Sequence, residues 1–371
     1  MDENLLNPHG GDIYRASRVY GCSKEEILDY SANINPLGVP SGLKQKLIAG
    51  IDDLVNYPDP YCNGLRENIS QYLGIRSENI VAGNGASEVI FLLFEALKLK
   101  SVMIPSPTFC EYAKAAERYG TEVYYHELKE ETGYELNMEL LIRQMDSMAY
   151  KIDAVILCNP NNPTSTLVDR SDLLRLIDYA SGKNIYVIVD EAFIELTDGG
   201  NSNSVADCIV KYCNLFIIRA FTKLFAIPGL RLGYGIGSPD VINALWEKKL
   251  LWSVNTLALC VGEFLTDSGE YLRETTKWLV EEKEWFYSQL KAIKNIKVFE
   301  PKTNFVLVKL PDEGLTSGML KDKLASRGVL IRDAGNFVFL NDRFIRIAVK
   351  DRKSNLRFLK VFEQVLQTIN A

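Results

Sequence analysis

From about residue 40 to residue 250, short apolar runs alternate with amphipathic stretches. The runs are Ile80–Ala82, Ser101–Ile104, Glu122–Tyr125, Ala154–Cys158, Ile185–Val189, Leu215–Arg219 and Gly233–Ile236. Helical patterns such as Ser87–Leu99 and Ser171–Lys183 lie between several of them. Parallel strands need a crossover, usually a helix, so this alternation predicts an α/β fold with a large, doubly wound, mostly parallel sheet. Functional groups in such sheets gather at the carboxyl ends of the strands. Gly85, Asn162 and Asp190 each follow a predicted strand.

A chain of 371 residues exceeds one average domain, which favours two domains around a cleft. Residues 1–36 read as an irregular N-terminal arm rich in Gly, Asn and Pro, and residues 37–252 as the large domain. After Leu250 the pattern becomes long helices through Ile293. Short strands follow at Lys297–Phe299, Asn304–Lys309, Val329–Arg332 and Phe344–Ala348, with helices Leu315–Arg327 and Lys353–Ile369. Residues 253–371 therefore read as a smaller α+β domain.

A net charge of −6 argues against a nucleic-acid partner, so an anionic substrate would need a local cluster of arginines. The seven cysteines are scattered without a Cys-x-x-Cys, which suits reduced thiols in a cytoplasmic protein. With two histidines in the chain, no metal centre is expected. The N-terminus lacks a signal-peptide pattern, and no apolar stretch reaches 18 residues, so no membrane association is expected.

Residues 219–234 carry the densest chemical signal: Arg-Ala-Phe-Thr-Lys-Leu-Phe-Ala-Ile-Pro-Gly-Leu-Arg-Leu-Gly-Tyr. Lys223 follows a hydroxylic residue, Thr222, and Arg231 stands eight positions on. Upstream, the apolar run from Ile185 ends in Asp190 and leads into a loop. A pyridoxal phosphate (PLP) site needs a lysine for the aldehyde, an acid for the pyridinium nitrogen, and cations and hydroxyls for the phosphate. An isolated lysine is most often a solvated surface group; the joint pattern reverses that weighting. Gly83-Asn-Gly-Ala-Ser-Glu88 follows a strand and opens a helix, whose first N–H groups suit a phosphate. Alone, such a turn more often merely caps its helix.

Together these motifs resemble the fold-type I PLP enzymes, the aspartate aminotransferase superfamily, and within it the histidinol-phosphate aminotransferase branch. Closer still, the chain looks like the threonine-phosphate decarboxylases of cobalamin biosynthesis. The resemblance runs from His9-Gly10-Gly11 to Arg346-Ile-Ala-Val. It implies the fold-type I PLP-dependent transferase fold, with Gly85, Ala86, Ser87, Thr222 and Arg231 around the cofactor phosphate. Lys223 would bond the aldehyde and Asp190 the ring nitrogen. Asn162, in Asn159-Pro-Asn-Asn-Pro-Thr-Ser165, would donate to the ring oxygen, and Phe109 would stack on the ring. Tyr57 would reach the phosphate from a neighbouring subunit, implying a homodimer with shared sites. Two positions depart from the aminotransferase pattern: Ser165 replaces the usual glycine, and Phe193 the usual tyrosine.

The resemblance also implies a small phosphorylated amino-acid substrate. Arg346 would hold its α-carboxylate in a bidentate fork. Arg332 would meet its phosphate, helped by His9 and Gly10 of the arm, and Asn33 and Asn162 would complete the substrate contacts. Taken singly, an arginine in a strand is more often a surface ion pair, and an Asn/Gly loop an ordinary turn. The expected reaction is decarboxylation of L-threonine O-3-phosphate to (R)-1-amino-2-propanol O-2-phosphate. Its rivals are histidinol-phosphate transamination, decarboxylation of L-serine O-phosphate, and a non-catalytic PLP-fold binding protein. The intact set of Asp190, Lys223 and Arg231 argues against the last.

Overall fold

The computed structural model describes residues 9–148, 152–311 and 314–370. After a two-residue strand β1 (Leu28–Asp29), seven strands occupy the expected places: β2 (Ile80–Asn84), β3 (Ser101–Ser106), β4 (Glu122–Glu127), β5 (Ala154–Cys158), β6 (Tyr186–Asp190), β7 (Leu215–Ala220) and β8 (Leu232–Ile236). They form one sheet in the order β2-β8-β7-β6-β5-β3-β4. Strands β4, β3, β5, β6 and β7 run parallel, while β8 is antiparallel to both its neighbours. A local cause is visible for that exception. The link from β7 to β8 holds only short helical turns, Phe221–Leu224 and Pro228–Leu230, and no crossover helix.

Both faces of the sheet are covered. Val187, Val189, Leu215 and Ile217 enter one core, whereas Ile188, Phe216, Ile218 and Ile156 enter the other. A sheet buried on both sides needs continuous apolar strands instead of alternating ones, and these runs are continuous. Register then places the chemistry. Asp190 lies opposite Cys158 on one side and Ile218 on the other, and β7 ends at Ala220. Asp190 and Lys223 consequently leave the same edge of the sheet.

A second sheet comprises β9 (Lys297–Val298), β10 (Phe305–Lys309), β12 (Arg332–Asp333) and β13 (Phe344–Ala348) in antiparallel order β12-β13-β10-β9. The expected single strand Val329–Arg332 is in fact divided. Its first half, β11 (Val329–Leu330), pairs in parallel with β1 of the arm, and its second half joins β13. Residues 1–8 of the expected arm lie outside the described residues, and residues 9–36 are more ordered than their composition suggests. Ile13–Tyr20 is a helix whose first turn is capped by Asp12, which accepts from the Arg15 N–H at 2.9 Å. Gly21 closes it in the left-handed conformation, φ 72°. The arm's pairing partner lies some 300 residues away, and local composition carries no trace of it.

Helices Gly269–Ala292 and Arg352–Asn370 back the second sheet through an aromatic cluster. Phe358 is fully buried at its centre, with its ring 4.4 Å from Tyr30 and 5.3 Å from Phe362. Among the described residues, no helix is long and apolar enough to cross a membrane. Phe358→Ala should lower unfolding free energy by about 3–5 kcal/mol through lost burial and a residual cavity. Urea unfolding should show this as a lower midpoint with an unchanged slope.

Candidate active site

A cavity of about 490 Å³ opens where Asp190 and Lys223 leave the large sheet and the arm and second sheet close over them. Every residue nominated from the sequence lines it, apart from Tyr57. Tyr57 is 82% exposed and packs its ring on that of Trp252, 5.0 Å away.

The turn before helix Ala86–Leu97 is shaped by two glycines. Gly85 has φ 81°, and a Cβ there would lie 2.6 Å from the Arg231 guanidinium. A Cβ on Gly233 would lie 2.2 Å from the Ala86 backbone nitrogen. The missing side chains thus let β8 and Arg231 press against a helix N-terminus, forming a cradle of N–H groups and positive charge. Thr222 and Ser87 line the same wall. Arg231 itself adopts φ 56°, and its Nη1 donates to the Pro228 carbonyl at 3.3 Å.

Asp190 is buried at the end of β6. Its Oδ2 accepts from the Tyr112 hydroxyl at 2.7 Å and its Oδ1 from the Ala192 N–H at 3.0 Å. Burial raises its pKa to about 6, against the lowering effect of these two donors. Tyr112 escaped the sequence reading. Its one signal is its place three residues after Phe109, one helical turn along the segment bearing the expected stacking ring. The two rings meet edge to face at 5.6 Å.

The cations dominate the remaining electrostatics. Burial, then Arg346 and Arg231, lowers the Lys223 pKa to about 8. Burial, then Arg332, lowers that of Arg346 to about 9. Arg332 and Arg346 are register partners on β12 and β13, so like charges face each other across neighbouring strands. Arg332 donates to Asn336 Oδ1 at 2.7 Å, and Arg346 to Asn162 Oδ1 and to the Ser31 carbonyl at 2.7 Å. The Arg346 Nε and the Asn33 Oδ1 are buried with no hydrogen-bond partner. Unsatisfied buried groups on a cavity wall suit a polar ligand.

The arm is fastened at several points. Gly11 N–H donates to Ser31 Oγ at 2.7 Å, and a Cβ on Gly10 would strike the Ser31 carbonyl at 2.3 Å. His9 Nε2 lies 2.9 Å from Glu111, and its ring centroid 5.8 Å from that of Phe109. The hydrogen bond to His9 is the largest influence holding the Glu111 pKa down, to about 2. His9, Cys110 and Glu111 bring metal-ligand atoms within 4.8 Å of one another. A metal ion there would have to displace Lys114, which bonds Glu111 at 2.7 Å.

The two departures from the aminotransferase pattern find their settings. Ser165 has φ 64°, a conformation glycine adopts without strain. Its Oγ accepts from the N–H groups of Lys302 and Thr303, each at 3.2 Å, tying the loop to the segment before β10. Phe193 packs edge to face on Phe305 at 5.2 Å and adds an apolar wall to the cavity.

Residues 25–362 match the family model for aminotransferase class I and II. The chain belongs to that family. It is 40% identical to a protein of Caldanaerobacter subterraneus subsp. tengcongensis provisionally named a threonine-phosphate decarboxylase, covering 94% of this chain and 91% of that one. It is 34% identical to the threonine-phosphate decarboxylase of Salmonella typhimurium, over 97% of both chains. The crystal structure of histidinol-phosphate aminotransferase from Clostridium acetobutylicum is similar too, with a TM-score of 0.85 and 35% identity. That match covers 92% of this chain and 100% of that one. In this fold-type I family the residues present fit a PLP group: a buried acid, a lysine at the same sheet edge, and a cationic N–H cradle.

Asp190 generates a pH prediction for the cofactor-free protein. A folded-state pKa of about 6 against 3.8 means that the folded state holds a proton which the unfolded state releases. Stability should therefore fall as pH rises from about 4 to about 6, by up to roughly 3 kcal/mol for this group. Asp190→Asn should flatten that segment of the stability–pH profile, as read by chemical denaturation at each pH.

Proposed function

We propose that the protein decarboxylates L-threonine O-3-phosphate to (R)-1-amino-2-propanol O-2-phosphate, the linker precursor of cobalamin. The observation that carries this reading is the nearly full-length likeness to two proteins of that name, at 40% and 34% identity. The cofactor is pyridoxal 5′-phosphate. When bound, it supplies an electron sink for a bond broken at the substrate Cα.

Asp190 holds the ring nitrogen, with Tyr112 and the Ala192 N–H keeping its carboxylate aimed. Gly85, Ala86, Ser87, Thr222 and Arg231 hold the cofactor phosphate, Phe109 packs on the ring and Asn162 donates to its oxygen. Lys223 would hold the cofactor aldehyde, and its amine is the group placed to hold or deliver a proton at the substrate Cα. A pKa near 8 leaves part of its amine neutral at physiological pH, which serves both tasks. Arg346 receives the α-carboxylate, and Arg332, His9 and Gly10 receive the phosphate with Asn33 nearby. A strong grip on the carboxylate would stabilise the ground state and oppose CO₂ loss. The Arg346 fork already serves Asn162 and Ser31, so it directs the scissile bond with only its remaining N–H groups.

The division into an arm (1–36), a large domain (37–252) and a small domain (253–371) fits this arrangement. A cytoplasmic homodimer does as well. Val55, Tyr57, Leu250, Leu251 and Trp252 are all exposed, an apolar surface that a second copy would cover. Tyr57 would then reach the partner's site. A second reading, histidinol-phosphate transamination, draws on the likeness to the Clostridium acetobutylicum enzyme.

Incubation with threonine phosphate should release CO₂ without 2-oxoglutarate and without accumulating the pyridoxamine form of the cofactor. Amino transfer from histidinol phosphate with no CO₂ from threonine phosphate would establish the second reading instead. Arg332→Ala should cost phosphorylated substrates about 2–5 kcal/mol in kcat/KM, and Arg346→Ala should impair every amino acid tested. Mixing Tyr57→Phe with Lys223→Ala subunits should recover at most one working site per heterodimer.

A further inference from the structure

Directly behind the cofactor site lies a buried ionic cluster that takes no part in the chemistry described above. Arg219 is 1% exposed on β7 and Glu191, the residue after Asp190, is fully buried. Arg219 Nε and Nη2 reach Glu191 Oε2 at 2.9 and 2.8 Å, and Nη1 reaches Glu195 at 3.2 Å and Asn201 at 2.9 Å. Glu191 also accepts from the Ser204 hydroxyl at 2.6 Å and the Val205 N–H at 3.0 Å. A buried pair of this kind gains little stability over apolar residues of the same volume, because desolvation offsets the attraction. Its position is more informative than its energy. Glu191 adjoins the acid, Arg219 stands four residues before the lysine, and the Glu191 N–H bonds the Ile218 carbonyl at 2.7 Å.

We propose that the Glu191–Arg219 ion pair is a positioning element: it locks the ends of β6 and β7 so that Asp190 and Lys223 face one cofactor ring, and it sets the electrostatic field at the Asp190 carboxylate. The groups facing Asp190 are Tyr112 and Cys158, both neutral, the Ala192 N–H, and Glu191. Among the described residues, Glu191 is the charged side chain found to act on Asp190, and its negative charge favours the protonated acid. Glu195 shares Arg219 but stands five residues beyond Asp190. The inference rests on the reading that Asp190 holds the ring nitrogen.

The test is PLP affinity of the cofactor-stripped full chain across pH, followed by quenching of tryptophan fluorescence. The ligand's own ionisations are common to all variants, so only shifts between variants count. Affinity should fall on the acid side as Asp190 protonates. Glu191→Gln should move that acid midpoint down by about 0.5 pH unit or more, since a like charge has left. Glu195→Gln, which also deprives Arg219 of a carboxylate, should leave the midpoint in place. Glu191→Asp keeps the charge while shortening the strut. It should weaken affinity several-fold at every pH with the midpoint unmoved, and it serves as the second variant if Glu191→Gln does not fold. Equal midpoints in all three, while Asp190→Asn abolishes the acid limb, would overturn the proposal alone. An acid limb that survives in Asp190→Asn would overturn it together with the reading of Asp190.

Discussion

Four cationic side chains, Lys223, Arg231, Arg332 and Arg346, line one cavity, where Arg346 and Arg231 act on Lys223 and Arg332 acts on Arg346, and the site's frame has to hold them there. Burial and repulsion together pull the pKa values of Lys223 and Arg346 well below their usual ranges. Charges held this close in a low dielectric are costly without counter-charge. On the proposed function, a substrate bearing a phosphate and a carboxylate would supply that counter-charge.

Holding like charges together requires a rigid frame. The four cations issue from three kinds of support: Lys223 from the turn after β7, Arg231 from the link to β8, and Arg332 and Arg346 from paired strands of the second sheet. Arg332 and Arg346 are fixed by register, while Gly85 and Gly233 make room for Arg231 and its strand. The carboxylate whose charge acts on Lys223 and Arg346 is Asp29, while Asp190 is a buried acid whose pKa, raised by burial, is held down in part by Tyr112 and the Ala192 N–H. At the cavity mouth the Gly11 N–H donates to Ser31 Oγ and His9 lies against Glu111, so the arm's first described residues line the site.

The large sheet was legible because its inner strands are buried on both faces and read as continuous apolar runs. The site was equally open to reading wherever residues sit a fixed number of positions from one another, as Thr222, Lys223 and Arg231 do. Tyr112 was not, because its partner Asp190 is 78 residues distant and a tyrosine on a helix has no local mark of a buried acceptor. The Glu191–Arg219 pair was hidden for the same reason, although Glu191 stands beside Asp190 and Arg219 four residues before Lys223. The arm was underestimated, since β1 exists only by pairing with β11.

Local order along the chain therefore sufficed for the fold class and for nominating Lys223, Asp190, Arg332 and Arg346, which the fold brings to one cavity. Those features rest on short-range patterns: apolar periodicity, glycine at turns, and functional groups after strand ends. The chain fold alone settled which arginines face each other, where Asp190 finds its donors, and that Tyr57 lies on an exposed apolar surface, away from the cavity. Such relations join residues far apart in sequence through packing and register, and burial, which no linear pattern encodes, is what shifts their charges.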